Sequence, residues 1–119
     1  LQHKEKRFRT RFLISGVDRF WSLQVDDIAY FYSENKVTFA VTRNAQEYII
    51  DLSLNKLSDQ LDPDRFFRAN RQIIVCIDAI DHAEPYFNGK LVVALRPPYK
   101  NKVTISEEKL SSFKLWLNF

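Results

Sequence analysis

The feature that most constrains this chain is an alternation of apolar and polar residues with a period of two, running from Arg11 to Ile105. Successive side chains of an extended strand point to opposite faces, so such a pattern favours strands and leaves little room for helix. IAYFYS sets Ile28, Tyr30 and Tyr32 on one face. VTFAVT sets Val37, Phe39 and Val41 on one face, with Thr38 and Thr42 opposite. The polar break Glu34-Asn35-Lys36 between them reads as a hairpin turn. RFLIS and RFWSLQ flank Gly16-Val17-Asp18 as an earlier hairpin, and the break Arg43-Asn44-Ala45-Gln46 leads into EYIID. Asn88-Gly89, between PYF and LVVAL, is a strong two-residue turn signal because both positions tolerate positive φ. IIVCI (73–77) and LVVAL (91–95) are continuous apolar runs, which predicts strands buried on both faces.

Two segments depart from the alternation. Between Ser53 and Leu61, leucines at 54, 57 and 61 have helical spacing, Ser53 suits an N-cap, and Asp62-Pro63 ends the segment. Between Ser106 and Leu117, Leu110, Phe113 and Leu117 form one stripe, Ser106 suits the cap, and Glu107 and Glu108 suit the positive end of the helix dipole. The prediction is a mainly-β single domain: about ten short strands in small antiparallel sheets, with two covering helices over 53–61 and 106–117. Two glycines and four prolines among 119 residues, 45% of them hydrophobic, exclude a disordered or collagen-like chain. No apolar run approaches the roughly 20 residues of a membrane helix, so no membrane contact is expected of this segment. Cys76, the single cysteine, excludes an internal disulfide and agrees with a reducing, cytoplasmic compartment. No methionine is present, so Leu1 is not a native start and the chain reads as a piece of a longer protein.

The net charge of +3 is unevenly spread. Residues 1–11 hold Lys4, Lys6, Arg7, Arg9 and Arg11 against Glu5 alone, a local charge of +4. The other 108 residues carry 13 basic and 14 acidic groups, a net of −1. Residues 1–10 are therefore expected to be a basic linker or arm from an upstream domain, and residues 11–119 the folded domain. A body of this charge binds an anion only through a few focused basic residues.

Most chemistries find no support. His3, His82 and Cys76 are the only soft metal ligands, and no pair has zinc-like spacing, so neither metal nor cofactor is expected. Cys76 sits in an apolar strand as a small core residue would. His82, between Asp81 and Glu84, has the neighbours of a general base, the basis of a weak reading as a small hydrolase. No nucleophile or oxyanion motif accompanies it, and a surface histidine beside acids explains it better. Gly16 and Gly89 are isolated, so there is no phosphate loop. The pairs Asp26-Asp27 and Asp62/Asp64 lie beside turns and helix starts, where acids serve as caps. Polar inter-strand loops remain, Glu34-Asn35-Lys36 and Ala69-Asn70-Arg71-Gln72. Amide and guanidinium groups in a row are the side chains that contact base edges bidentately. Arg71 is equally readable as a surface residue paired with an acid such as Asp78.

The order of the elements adds to this. QVDDIAYFYSENKVTF comes first and a leucine-spaced helix follows; then come DRFFRANRQIIVCIDAI, the Asn-Gly hairpin and KVTISEEKLSSFKLWL. The series resembles the LytTR family, DNA-binding domains usually C-terminal to the receiver domain of bacterial response regulators. The likeness runs from about Arg11 to Leu117 and is most specific at F-x-R-x-[HN]-R-x-x-[IV]-V followed by D-x-I. It implies a ten-stranded fold that reads DNA with loops. Carried onto this chain, it implies contacts from Asn35 and Lys36 in the first loop and from Asn70 and Arg71 in the second. The third family contact, an arginine after the serine of the last helix, is replaced by Glu107 and Glu108, with Lys102 and Lys109 as substitutes.

The expected function is sequence-specific binding of double-stranded DNA by a transcriptional regulator, without enzymatic activity. Arg71 is expected to read a guanine in the major groove, Asn70 and Asn35 to add base or sugar contacts, and Lys36 to meet phosphate. By resemblance, an upstream receiver domain is the partner, and a homodimer would occupy repeated half-sites. The alternative is a protein-interaction module of the same fold whose DNA surface is weakened by the acidic pair.

Overall fold

The computed structural model describes residues 7–119, so Lys4 and Lys6 of the basic arm lie outside the described residues. Ten strands and two helices follow in chain order. They are β1 (Arg11–Ser15), β2 (Phe20–Gln24), β3 (Ile28–Glu34), β4 (Val37–Thr42), β5 (Glu47–Ile50), α1 (Leu54–Gln60), β6 (Phe66–Asn70), β7 (Ile73–Cys76), β8 (Ile80–Pro85), β9 (Leu91–Leu95), β10 (Val103–Ile105) and α2 (Leu110–Leu117). They form three antiparallel sheets: a β1–β2 ribbon, a three-stranded sheet in the order β10-β9-β8, and a five-stranded sheet in the order β5-β4-β3-β7-β6. This is the expected class.

The five-stranded sheet is covered on both faces, and its sequence shows why. Residues 28–32 of β3 are all buried, as are the four residues of β7. Phe31 meets Phe12 of β1 edge-on at 5.7 Å and Phe66 of β6 at 5.9 Å. Tyr30 and Tyr32, one residue either side and hence on the other face, pack on Tyr99 at 5.8 and 5.1 Å. Phe67 follows Phe66 and so turns away from Phe31, meeting Phe113 and Trp116 of α2 at 5.3 and 5.1 Å. Helix α1 buries Leu54 and Leu57 against β3 and β7, and the Ser53 side chain accepts the Lys56 backbone N–H at 3.2 Å, the expected cap.

Several local expectations are corrected. In β4 the two faces separate as expected and both carry buried residues, Thr38, Ala40 and Thr42 on one and Val41 on the other, whereas Val37 is exposed. The reason is position: β4 is an interior strand covered on both faces, and Thr42 satisfies its hydroxyl with Gln46. β7 is buried on both faces as expected, but β9 alternates, with Val93 and Leu95 buried and Leu91, Val92 and Ala94 half-buried. It is the middle strand of the three-stranded sheet. The Asn88-Gly89 turn is present with both residues at positive φ (57° and 72°), but the strand before it runs from Ile80 and ends at Pro85. Ser106 makes no side-chain cap bond, because residues 107–109 form a 3-10 turn before α2 starts. Within α2, Trp116, three residues after Phe113, joins it in the packed stripe, and Leu117 is exposed.

Arg9 and Thr10, assigned by sequence to the arm, are tied to the body. The Arg9 backbone and guanidinium donate to Gln60 at 2.8 and 2.6 Å, and Thr10 accepts from Val25 at 2.9 Å.

Candidate nucleic-acid interface

Strand pairing brings two turns to one end of the five-stranded sheet. Tyr32 of β3 faces Ile73 of β7, so the end of β3 lies beside the start of β7. The Ser33 N–H donates to the Gln72 carbonyl at 2.9 Å, tying the β3–β4 turn to the β6–β7 turn. In the first turn Asn35 and Lys36 both have positive φ, 50° and 65°, the pair of left-handed conformations a tight hairpin of this hand requires. Asparagine tolerates that region; for a lysine it costs about 1–2 kcal/mol, a strain that recurs at binding loops.

The second turn is organised by a residue sequence reasoning passed over. Arg68 donates to the Asn70 carbonyl (2.8 Å), the Arg71 carbonyl (3.0 Å) and the Asn55 side chain (2.9 Å). Its half-buried guanidinium has a lowered pKa because burial disfavours the charge. Asn70 uses both ends of its amide: Nδ2 donates to the Thr104 carbonyl at 3.0 Å and Oδ1 accepts from the Gln72 N–H at 2.8 Å. It therefore fixes the turn against β10, using one amide N–H and one Oδ1 lone pair. Arg71 is exposed, and its guanidinium has no ion-pair or hydrogen-bond partner among the described residues. The acid that sequence offered as its partner, Asp78, faces Arg43 at 3.5 Å instead.

The remaining candidates are distributed around this pair. Lys109 Nζ donates to the Arg68 carbonyl at 3.2 Å, which joins the start of α2 to the second turn. Lys102 lies 5.4 Å from the Tyr86 ring centroid, at the β8–β9 turn, and is tied to the smaller sheet. Lys100 was not foreseen: it holds both Glu34 carboxylate oxygens at 2.6–2.7 Å and lies over Tyr32, and the bond to Glu34 raises its pKa. Glu107 packs over Gly89, where an added Cβ would come within 2.7 Å of its carboxylate, and Glu108 is exposed.

The two other reactive candidates are accounted for by their contacts. His82 Nδ1 lies 2.6 Å from Asp81 and Nε2 3.2 Å from Glu84, which raises its pKa, and Asp81 also binds Arg96. The carboxylates stabilise the charged imidazolium, the form unable to act as a base. Cys76 is buried, with its sulfur 3.6 Å from the Arg43 guanidinium.

Comparison with known proteins identifies relatives. The profile of the LytTr DNA-binding domain matches residues 18–118. The transcriptional regulatory protein YpdB of Escherichia coli K12 is 29% identical over 90 residues, covering 76% of this chain and 36% of YpdB. An uncharacterized response regulatory protein of Vibrio cholerae is 31% identical over 74 residues, covering 60% of this chain and 28% of its own length. The chain thus spans about a third of the curated relatives it matches. The LytTr DNA-binding domain of a putative methyl-accepting/DNA response regulator from Bacillus cereus superposes with a TM-score of 0.76 at 19% identity, covering 93% of this chain and 99% of that one, a likeness of fold.

Proposed function

This chain belongs to the LytTr DNA-binding domain family, and from that membership we propose that it binds double-stranded DNA sequence-specifically within a longer transcriptional regulator. The single observation that carries the reading is the pair of turns at one sheet end, with an exposed Arg71, unpaired among the described residues, on a loop fixed from behind by Arg68. Arg71 reads a base edge, Asn35 adds a base or sugar contact, and Lys36 meets phosphate. Asn70 acts as the positioning residue of the second turn, Lys109 flanks it, and Lys102 contributes charge at a distance. The domain works by binding rather than catalysis. A receiver domain upstream, joined through residues 1–10, and two copies on repeated half-sites complete the proposal, with the cytoplasm as its place of action. No helix among the described residues is long and apolar enough to cross a membrane.

A second reading, a protein-interaction module, draws on the exposed Glu108 and on Glu107 at the start of the last helix. A salt titration on mixed-sequence duplex separates the two. DNA binding predicts weak, micromolar affinity and a log–log slope on the order of −2 to −5, for a handful of neutralised phosphates. A slope of zero leaves the interaction module.

The Lys100–Glu34 pair adds a prediction of its own. Both side chains are about half exposed, so the pair adds little stability, yet the Glu34 carboxylate offsets the charge of one cation next to the first turn. Glu34→Gln is expected to release Lys100, strengthen binding to all sequences, and steepen the salt slope by up to about one. An unchanged slope places Lys100 outside the footprint.

A further inference from the structure

Lys36 has a neighbour that the two-turn reading leaves unused. The start of β4 (Lys36, Val37, Thr38) and the stretch from Ile49 to Ser53 with Lys56 enclose an open groove of about 460 Å³. Each wall carries one lysine, Lys36 on the turn and Lys56 on α1. Both are exposed, and neither ammonium has an ion-pair or hydrogen-bond partner among the described residues. The one acid lining the groove, Asp51, is exposed and bonded to neither. Next along α1, Asn55 accepts from Arg68, which also holds the Asn70 and Arg71 carbonyls. The first turn of α1 is therefore fixed to the Arg71 loop on one side and faces Lys36 across the groove on the other.

Two like charges flanking a groove disfavour each other, and an anion between them converts that repulsion into two attractions. A duplex lying on the two turns carries one negative charge for about every 1.7 Å of its axis, so phosphates pass this groove at close spacing. We propose that the groove between the β3–β4 turn and α1 seats a backbone phosphate of the bound DNA, gripped by Lys36 and Lys56. Helix α1 is then a third contact element, a role the family likeness did not suggest for it. The inference rests on the DNA-binding reading above.

The test compares mixed-sequence duplex binding across salt for the unaltered chain, Lys56→Gln, Lys36→Gln, their double variant, and Lys114→Gln on the exposed face of α2, with far-UV spectra confirming each fold. Lys56→Gln is expected to weaken binding roughly three- to tenfold on every sequence and to reduce the log–log slope by about one. Lys36→Gln should do the same, and the double variant should lose less than the two singles together, because both lysines grip one phosphate. Lys114→Gln should change neither. If Lys56→Gln leaves the slope of a salt-sensitive chain unchanged, or Lys114→Gln matches it, the groove is not a phosphate site while the DNA-binding reading stands. If the unaltered chain shows no salt-dependent binding, both fall together.

Discussion

Arg71→Ala is expected to weaken binding to a cognate duplex by about 1–3 kcal/mol and to flatten discrimination at one base pair. The guanidinium offers two parallel donors matched to the O6 and N7 acceptors of guanine, and a truncated side chain leaves both unmet. Two features of the structure make the effect specific. Arg71 is exposed without an acid partner among the described residues, so no ion pair there has to break before it meets a base. Its backbone is held by Arg68 at 3.0 Å, so the loop stays in place when the Arg71 side chain is removed. Arg71→Lys is the sharper variant, because it retains the charge and loses the fork. Non-specific affinity should survive and sequence preference should drop. Lys36→Ala, by contrast, should weaken all sequences alike. Should Arg71→Lys keep full discrimination, the reading role passes to Asn70 or Asn35, each of which retains an amide N–H and an acceptor lone pair.

The parts of this molecule legible in sequence were those set by local chemistry. Period-two alternation gave the strands, the polar pairs gave the three tight turns, and Ser53 with its leucines gave α1. What alternation could not give was that both faces of β4 carry buried residues. Burial there depends on β4 lying inside a sheet covered on both sides, a property of the assembled layers and not of VTFAVT. The start of α2 was misjudged for a related reason: Ser106-Glu107-Glu108 has the composition of a cap, and a 3-10 turn satisfies the same backbone groups without the serine side chain. At the site, sequence placed Asn35, Lys36, Asn70 and Arg71 on two loops, but amide and guanidinium groups read alike whether they face solvent or the fold. Only the contacts separate Asn70, which braces the turn, from Arg71, which does not. Lys100 was illegible because its partner Glu34 is sixty-six residues away, and Arg68 because two of its three acceptors are backbone carbonyls, which carry no sequence signal.

The largest effect on stability is expected at the joint between α2 and the sheet. Phe113 is 1% exposed and packs edge-on against Phe67 of β6 at 5.3 Å, with Trp116 beside it at 5.9 Å. Removing a buried phenyl ring loses its transfer free energy and leaves a cavity, so Phe113→Ala should cost about 3–5 kcal/mol. For a domain of this size that lowers the melting midpoint by roughly 10–20 °C. Phe113→Leu keeps most of the apolar volume and should cost far less. The two consequences of this joint can be told apart. Trp116, which donates to the Pro63 carbonyl at 2.9 Å, loses its packing partner, so its fluorescence should report the loosening of α2. The Arg68 bonds that shape the reading loop come from β6 and do not pass through α2. Below its lowered midpoint, Phe113→Ala should therefore retain the sequence discrimination of the unaltered chain. A variant that is still folded but has lost discrimination would mean that the start of α2, through Lys109, takes part in reading DNA and does more than brace the strand behind it.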